Sequence, residues 1–172
     1  MNDNVLYFDI ESTGLSLHTA RIISISFILG NKHKTFLVNP GIPIPYESSR
    51  IHGIYDKDVE DCKPLSYYKD DIIKILNMGD TFSGFNCRRY DIPLLKIEML
   101  RLGYEIPDKP IIDIYELTSS LFRSLKLKDI VLTLTGETYL SHDSLQDIIY
   151  TKKLHELIVS KFLKNNNQID NR

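Results

Sequence analysis

Five residues of this chain have types and spacings that could do chemistry together. Asp9 and Glu11 stand two apart in Asp9-Ile10-Glu11-Ser12-Thr13-Gly14-Leu15, directly after the apolar run Val5-Leu6-Tyr7-Phe8. Residues two apart on a strand share a face, so the two carboxylates project side by side. Burying like charges together is costly unless something positive lies between them, and a divalent cation is the cheapest resolution. Asp91 closes Gly84-Phe85-Asn86-Cys87-Arg88-Arg89-Tyr90-Asp91, just past an expected strand and at the start of an expected helix. His142 and Asp147 lie at the N-terminal end of the last expected helix, where Asp147 shares a mainly apolar row with Thr151, Leu154 and Ile158. Four inward carboxylates suit hard, oxygen-loving ions, Mg²⁺ or Mn²⁺ rather than Zn²⁺. Two such ions roughly 3.5–4 Å apart stabilise the attacking and leaving oxygens of an in-line phosphoryl displacement. An imidazole, with a pKa of about 6.5, suits the removal of a proton from water at neutral pH.

Each residue alone has a plainer explanation. An Asp-x-Glu on a strand often marks a strand end touching water. Asp91 could be a first-turn acid favoured by the helix dipole. Asp147 alone could be a partly exposed helix acid, and a single His is more often structural than catalytic. The metal reading rests on all five occurring in this order. His18, His33 and His155 read as surface or satisfied residues, His52 as structural in a loop beside the site, and Cys87 as a small buried residue. Asp113 reads as a strand-end acid or a support for the ligands rather than a ligand. The ten tyrosines are scattered and form no obvious stacking platform.

At 172 residues the chain is expected to form a single domain, with residues from about 165 to 172 a polar, frayed tail. A net charge of −2 argues against sequence-independent coating of nucleic acid, but not against an enzyme that meets phosphate through bound cations. Arg88, Arg89, Arg123, Lys126 and Lys128 could guide a phosphate backbone, although basic residues near helix ends are commonly just solvated. No apolar run is long enough to span a bilayer, and Met1-Asn2-Asp3-Asn4 lacks the basic start of a signal peptide. The two cysteines, Cys62 and Cys87, fit no metal-ligand spacing. A reduced cytoplasmic or nuclear setting, without membrane contact, is the expectation.

The elements that must position these groups follow from periodicity and turn chemistry. Strands are expected over Val5–Glu11, Arg21–Leu29, Thr35–Val38, Thr81–Phe85 and Ile111–Ile114. The run Asn39-Pro40-Gly41-Ile42-Pro43-Ile44-Pro45 must be an extended connection. Helices are expected over Tyr67–Asn77, Ile92–Leu102, Tyr115–Ser124, Lys126–Leu134 and Ser141–Phe162, with Gly103 stopping the second. A β-meander followed by alternating helices and strands describes an α/β or α+β domain with a mixed sheet.

With these motifs in order, the chain resembles the DEDD exonuclease superfamily, His subtype, the DnaQ-like proofreading exonucleases. The resemblance rests on Asp9, Glu11, Thr13, Gly14 and Leu15, on Asn86, Tyr90 and Asp91, and on His142 with Asp147 five residues later. Pro43 to Ile54 resembles the family's proline-rich connection ending His52-Gly53-Ile54, and Asp113 and Leu125-Lys126-Leu127 also look familiar. Ser12 stands where Thr is frequent and Ser144 where Ala is usual. Tyr139-Leu140-Ser141-His142-Asp143 also spells the Tyr-x3-Asp signature of the Tyr subtype, four residues out of step. The His register is preferred because Asp147 faces inward, which leaves Asp143 as a neighbour of the site.

The resemblance implies an RNase H-like fold, a five-stranded mixed sheet flanked by helices. It implies a 3′→5′ exonuclease that releases nucleoside 5′-monophosphates with two Mg²⁺ or Mn²⁺ ions. Asp9, Glu11, Asp91 and Asp147 would hold the metal, Asp9 being shared, and His142 would be the general base. Thr13, Gly14, Leu15 and Asn86 would meet the substrate: a single-stranded or frayed 3′ end, with DNA favoured and RNA possible in a trimming enzyme. A polymerase or other replication protein is an expected partner. A fold retained as a non-catalytic binding or polymerase-accessory module is the reading from another class.

Overall fold

The computed structural model describes residues 4–119, 122 and 126–169, with backbone alone from residue 162 onward. Five strands form one mixed sheet: β1 (Val5–Ser12), β2 (Ile22–Leu29), β3 (Lys32–Leu37), β4 (Thr81–Gly84) and β5 (Ile111–Asp113). Their order is β3-β2-β1-β4-β5; β1 pairs antiparallel with β2 and parallel with β4, so the sheet changes sense at β1. The helices among the described residues are α1 (Tyr46–His52), α2 (Asp56–Val59), α3 (Leu65–Met78), α4 (Asp91–Arg101), α5 (Ile114–Thr118), α6 (Leu127–Thr135) and α7 (Ser144–Ile169).

Alternation along β1 decides which groups meet the core and which meet the site. Leu6, Phe8 and Ile10 join the main core with Phe27, Phe36, Ile72, Leu76, Leu94 and Met99. Tyr7 faces the other way, against Ile28, Ile148 and Leu145, beneath α7. Asp9 and Glu11 share that second face. The fully buried Phe8 meets Phe82 edge to face, with ring centroids 5.6 Å apart. Truncating such a side chain to Ala costs about 3–5 kcal/mol, so β1 is held rigidly from the face opposite the acids.

Several boundaries differ from the sequence expectation. β3 begins at Lys32 rather than Thr35, because Lys32, His33 and Lys34 are exposed edge residues without apolar alternation. The loop before it is Gly30-Asn31, with Gly30 at φ +58°, a conformation glycine adopts without cost. α1 and α2 were not expected, and the extended connection stops at Pro45. There a φ of −57° leads directly into α1, which closes where Gly53, at φ +74°, donates its N–H to Ser49 O at 2.7 Å. α5 ends at Thr118; the rest of the helix expected to Ser124 falls mainly outside the described residues, as do Arg123, Leu125 and Met1 to Asp3.

The last helix starts at Ser144 rather than Ser141. Asp143 caps it, its Oδ1 accepting from Leu145 N at 3.0 Å and Gln146 N at 2.9 Å. The helix continues to Ile169, so residues 165–169 of the expected frayed tail are helical; residues 170–172 lie outside the described residues. No helix among the described residues is long and apolar enough to cross a membrane.

Candidate active site

The C-terminal end of β1 is where the acids gather. β4 pairs with β1 only from Val5 to Tyr7, and beyond that point the Ile10 N–H has no strand partner on this side. Asp91 takes its place: Oδ1 accepts from Ile10 N at 3.0 Å. The turn after β4 is built to deliver Asp91. A Cβ on Gly84 would meet Cys87 Cβ at 2.6 Å and Phe8 O at 2.9 Å, so only glycine allows this approach. Asn86 sits at φ +60°, and Asp113 accepts from Asn86 N at 2.8 Å, Arg88 N at 3.0 Å and Tyr115 N at 3.0 Å. Asp113 is thus a strand-end acid that holds the turn rather than a member of the acidic cluster.

α7 delivers the remaining two groups. Asp147 Oδ2 accepts from His142 N at 3.1 Å, and Asp147 N donates to Asp143 O at 2.8 Å. His142 stands just before the helix at φ +67°, a strained conformation for a residue with a Cβ. Ser144 anchors this end of the helix on β2, its Oγ 2.9 Å from Ser24 Oγ and 2.7 Å from Ser26 Oγ. Asp143 is committed to the cap, and the carboxylate meeting the β1 acids is Asp147. One oxygen from each of Asp9, Glu11 and Asp147 falls within 4.8 Å of the others.

Burial raises all four carboxyl groups above their ordinary range. Asp9 is pushed well up, by desolvation first and then by the charges of Asp91, Glu11 and Asp147. Glu11 rises to about 8, from desolvation and then repulsion by Asp147 and Asp91. Asp91 rises to about 7, with desolvation outweighing its backbone hydrogen bonds. Asp147 is raised by desolvation. No ion pair among the described residues reaches any of the four. Asp147 Oδ1 and the Tyr139 hydroxyl are both buried and neither closes a regular hydrogen bond, although the hydroxyl is near enough to offset part of the desolvation of the Asp147 carboxyl. A cluster of carboxylate oxygens, mutually repelling and with one oxygen orphaned, fits a hard divalent cation.

These groups line a cleft of about 540 Å³ together with Asn86, Gly14 and the 87 % exposed Leu15. Of the residues expected at the site, Thr13 alone stays off the cleft wall. Its hydroxyl accepts from Arg21 N at 2.9 Å and its carbonyl from Ser48 Oγ at 3.0 Å, which pins the turn from behind. Gly14 has no protein atom within 4 Å of an added Cβ, so packing in the protein does not demand glycine there. Tyr90 reaches across to donate to Gly14 O and sits 2.6 Å from Ser12 Oγ, tying the Asp91 turn to the Leu15 turn.

α1 supplies a wall of the cleft, a helix where the sequence reading placed a loop beside the site. His52 lines the cleft; its Nδ1 accepts from Ile54 N at 3.1 Å, and its buried Nε2 has no partner. The only sequence signal was the His52-Gly53-Ile54 motif, since a seven-residue helix carries too few turns to show a period. A second cavity of about 350 Å³ adjoins the first, sharing Asp9, Asn86, His142 and Asp147 and bordered by Tyr115, Tyr139, Lys126 and Lys128. Arg89 also lines the main cleft, whereas Arg88 is engaged with Glu116 at 3.3 Å and Ile111 O at 3.1 Å. His155 is satisfied by Tyr7 OH at 2.6 Å.

Residues 6–155 match the RNase_T family model, described as Exonuclease. The 3′-5′ exonuclease DinG of Bacillus subtilis is 28% identical over 144 residues, covering 78% of this chain and 15% of its own length. The PolC-type DNA polymerase III of Streptococcus pyogenes is 28% identical over 134 residues, covering 69% of this chain and 8% of its own length. The chain therefore spans a small part of these relatives. Among solved structures, E. coli exonuclease I with single-stranded DNA superposes with a TM-score of 0.83 at 16% identity, covering 91% of this chain and 40% of that one. A complex of the same enzyme with a dT13 oligonucleotide gives 0.82 at 15% identity. The fold is thereby the RNase H-like mixed sheet flanked by helices.

Proposed function

We propose that this chain, which belongs to the exonuclease family of the RNase_T model and to the DEDD superfamily, is a metal-dependent 3′→5′ exonuclease acting on single-stranded or frayed ends, DNA foremost. The observation that carries the reading is the convergence of Asp9, Glu11 and Asp147 oxygens within 4.8 Å, with Asp91 and His142 on the same cleft. The polarity is supported by the similarity to DinG, named a 3′-5′ exonuclease. The polymerase relative and the DNA-bound neighbours support DNA as substrate and a replication protein as partner.

Asp9, Glu11, Asp91 and Asp147 would hold two Mg²⁺ or Mn²⁺ ions, which supply Lewis-acid stabilisation of the entering and departing oxygens. His142 takes the proton of the attacking water on a ring nitrogen. The water oxygen bonds to the last phosphorus, the bond from phosphorus to the 3′-oxygen of the preceding nucleotide breaks, that oxygen takes a proton from solvent to become the new 3′-hydroxyl, and the terminal nucleotide leaves as a 5′-monophosphate. The Gly14-Leu15 turn and Asn86 orient that nucleotide, Leu15 offering an apolar face that accepts any base. The pinned turn keeps the scissile phosphate over the acids, so proximity contributes alongside charge.

Parallel digests of 5′-labelled and 3′-labelled single strands with Mg²⁺ or Mn²⁺ test the reading. The expected result is a ladder of shortening 5′-labelled products and immediate release of labelled mononucleotide from the 3′-labelled strand. Intact strands with either metal, on both DNA and RNA, would leave the fold as a non-catalytic binding module.

A further inference from the structure

A groove of about 430 Å³ lies at the end of the sheet away from the acids, where β1 begins rather than where it ends. Leu29, Ile75 and the half-exposed Met78 give it apolar walls over a floor of buried Leu6, Phe27 and Phe36. Lys32 and Lys34 of β3 and Lys74 of α3 rim it, with Asp71 the one acid among its lining residues. None of these three lysines forms an ion pair among the described residues. Lys34 Nζ instead stands 5.3 Å from the centroid of the Phe36 ring. β3 is also the edge of the sheet: it pairs with β2 alone, and its other side takes no backbone hydrogen bond among the described residues.

The charge identifies the occupant. A second copy of this strand would set Lys32 and Lys34 against the same row, and like charges across a strand pair repel. An apolar trough rimmed by ammonium groups without ion-pair partners among the described residues, beside an open strand edge, suits an extended acidic segment. Its backbone would satisfy the edge of β3, its carboxylates would meet the lysines, and its apolar side chains would fill the trough. We propose that the β3–α3 groove docks an extended segment of a partner protein that carries carboxylates and large apolar side chains on one face. Docking there leaves the catalytic cleft open, since the groove shares no residue with it.

The test uses a fluorescein-labelled peptide, Ser-Asp-Thr-Asp-Thr-Phe-Thr-Ile, which as a strand puts two aspartates and two apolar side chains on one face. Fluorescence anisotropy with the whole chain should give saturable binding. In Lys32→Glu/Lys74→Glu the dissociation constant should rise about tenfold or more, while melting temperature and nuclease rate on a short oligonucleotide stay unchanged. The same peptide with lysine in place of aspartate should not bind. Failure of the aspartate peptide to bind, equal binding of the two peptides, or indifference to the double substitution each overturns the proposal. So does binding of oleate in the groove when the peptide fails, which would make it an anionic-amphiphile site without strand pairing.

Discussion

The backbone N–H of Ile10 donates to Oδ1 of Asp91 at 3.0 Å, so the first carboxylate of α4 is fastened to the residue between the two acids of β1. An amide oxygen can accept the same bond. Asp91→Asn should therefore keep the fold, and without metal it should melt at the same or a higher temperature, because it removes a carboxyl raised to about 7 by burial. Its nuclease rate should fall beyond the roughly 10–100-fold typical of losing a group that merely supports a metal ligand. Thermal melts and single-turnover rates check both halves; a rate within severalfold of the parent chain would remove Asp91 from the site.

Raised carboxyl groups carry a pH dependence whose sign is fixed. The folded state holds protons on Glu11 up to about 8 and on Asp91 up to about 7, whereas the unfolded chain releases them near 4. Between these limits the native state binds more protons, so stability falls as pH rises. In EDTA the melting temperature should drop from pH 6 to pH 8.5. Millimolar Mg²⁺ or Mn²⁺ should restore it, with a larger shift at pH 8 than at pH 6, because protons compete with the ion for the same oxygens. Melting curves rising with pH in EDTA, or metal shifts equal at both pH values, would contradict the cluster's electrostatics.

Asp143 and Asp147 separate cleanly by role. Asp143→Asn keeps a competent helix cap and should retain most activity, whereas Asp143→Ala should lose about 1 kcal/mol of stability. Asp147→Asn should lose turnover while leaving the cap intact. If Asp143→Asn abolishes activity and Asp147→Asn spares it, the metal set follows the Tyr139-x3-Asp143 register instead.

Tyr90 ties the Asp91 turn to the Leu15 turn through Gly14 O and Ser12 Oγ. Tyr90→Phe deletes hydrogen bonds worth about 1 kcal/mol each and leaves the acids in place. KM for an oligonucleotide should rise severalfold with a smaller change in kcat. A drop in kcat with KM unchanged would assign Tyr90 to the chemistry rather than to holding the turn.

That Asp9, Glu11, Asp91, His142 and Asp147 would gather on one cleft was legible in the sequence: His142 was marked by its motif with Asp147, the acids by charge beside apolar residues, and strand alternation alone placed Asp9 and Glu11 on one face. The five strands were legible for the same reason, except for the start of β3. There lysines occupy an edge that needs no buried face, and the burial pattern reads exposed from Lys32 to Thr35. α1 was hidden by its length. The tie from Tyr90 to Gly14 was hidden by its separation along the chain, since no local pattern announces a hydroxyl reaching another turn. The choice of Asp147 over Asp143 was legible in the apolar row that Asp147 shares with Thr151, Leu154 and Ile158; the structure adds a cap at Asp143 and an oxygen of Asp147 within reach of the β1 acids.

The central claim is that these buried carboxylates form a divalent-metal centre, and calorimetric titration of Mn²⁺ into the chain at pH 8, beside Asp9→Asn, tests it most directly. The account predicts saturable binding to the parent chain with release of protons, and at least a hundredfold weaker binding to the variant, beyond the loss expected for a group outside the ligand set. Equal Mn²⁺ affinity in the two proteins, or none in either, would contradict it.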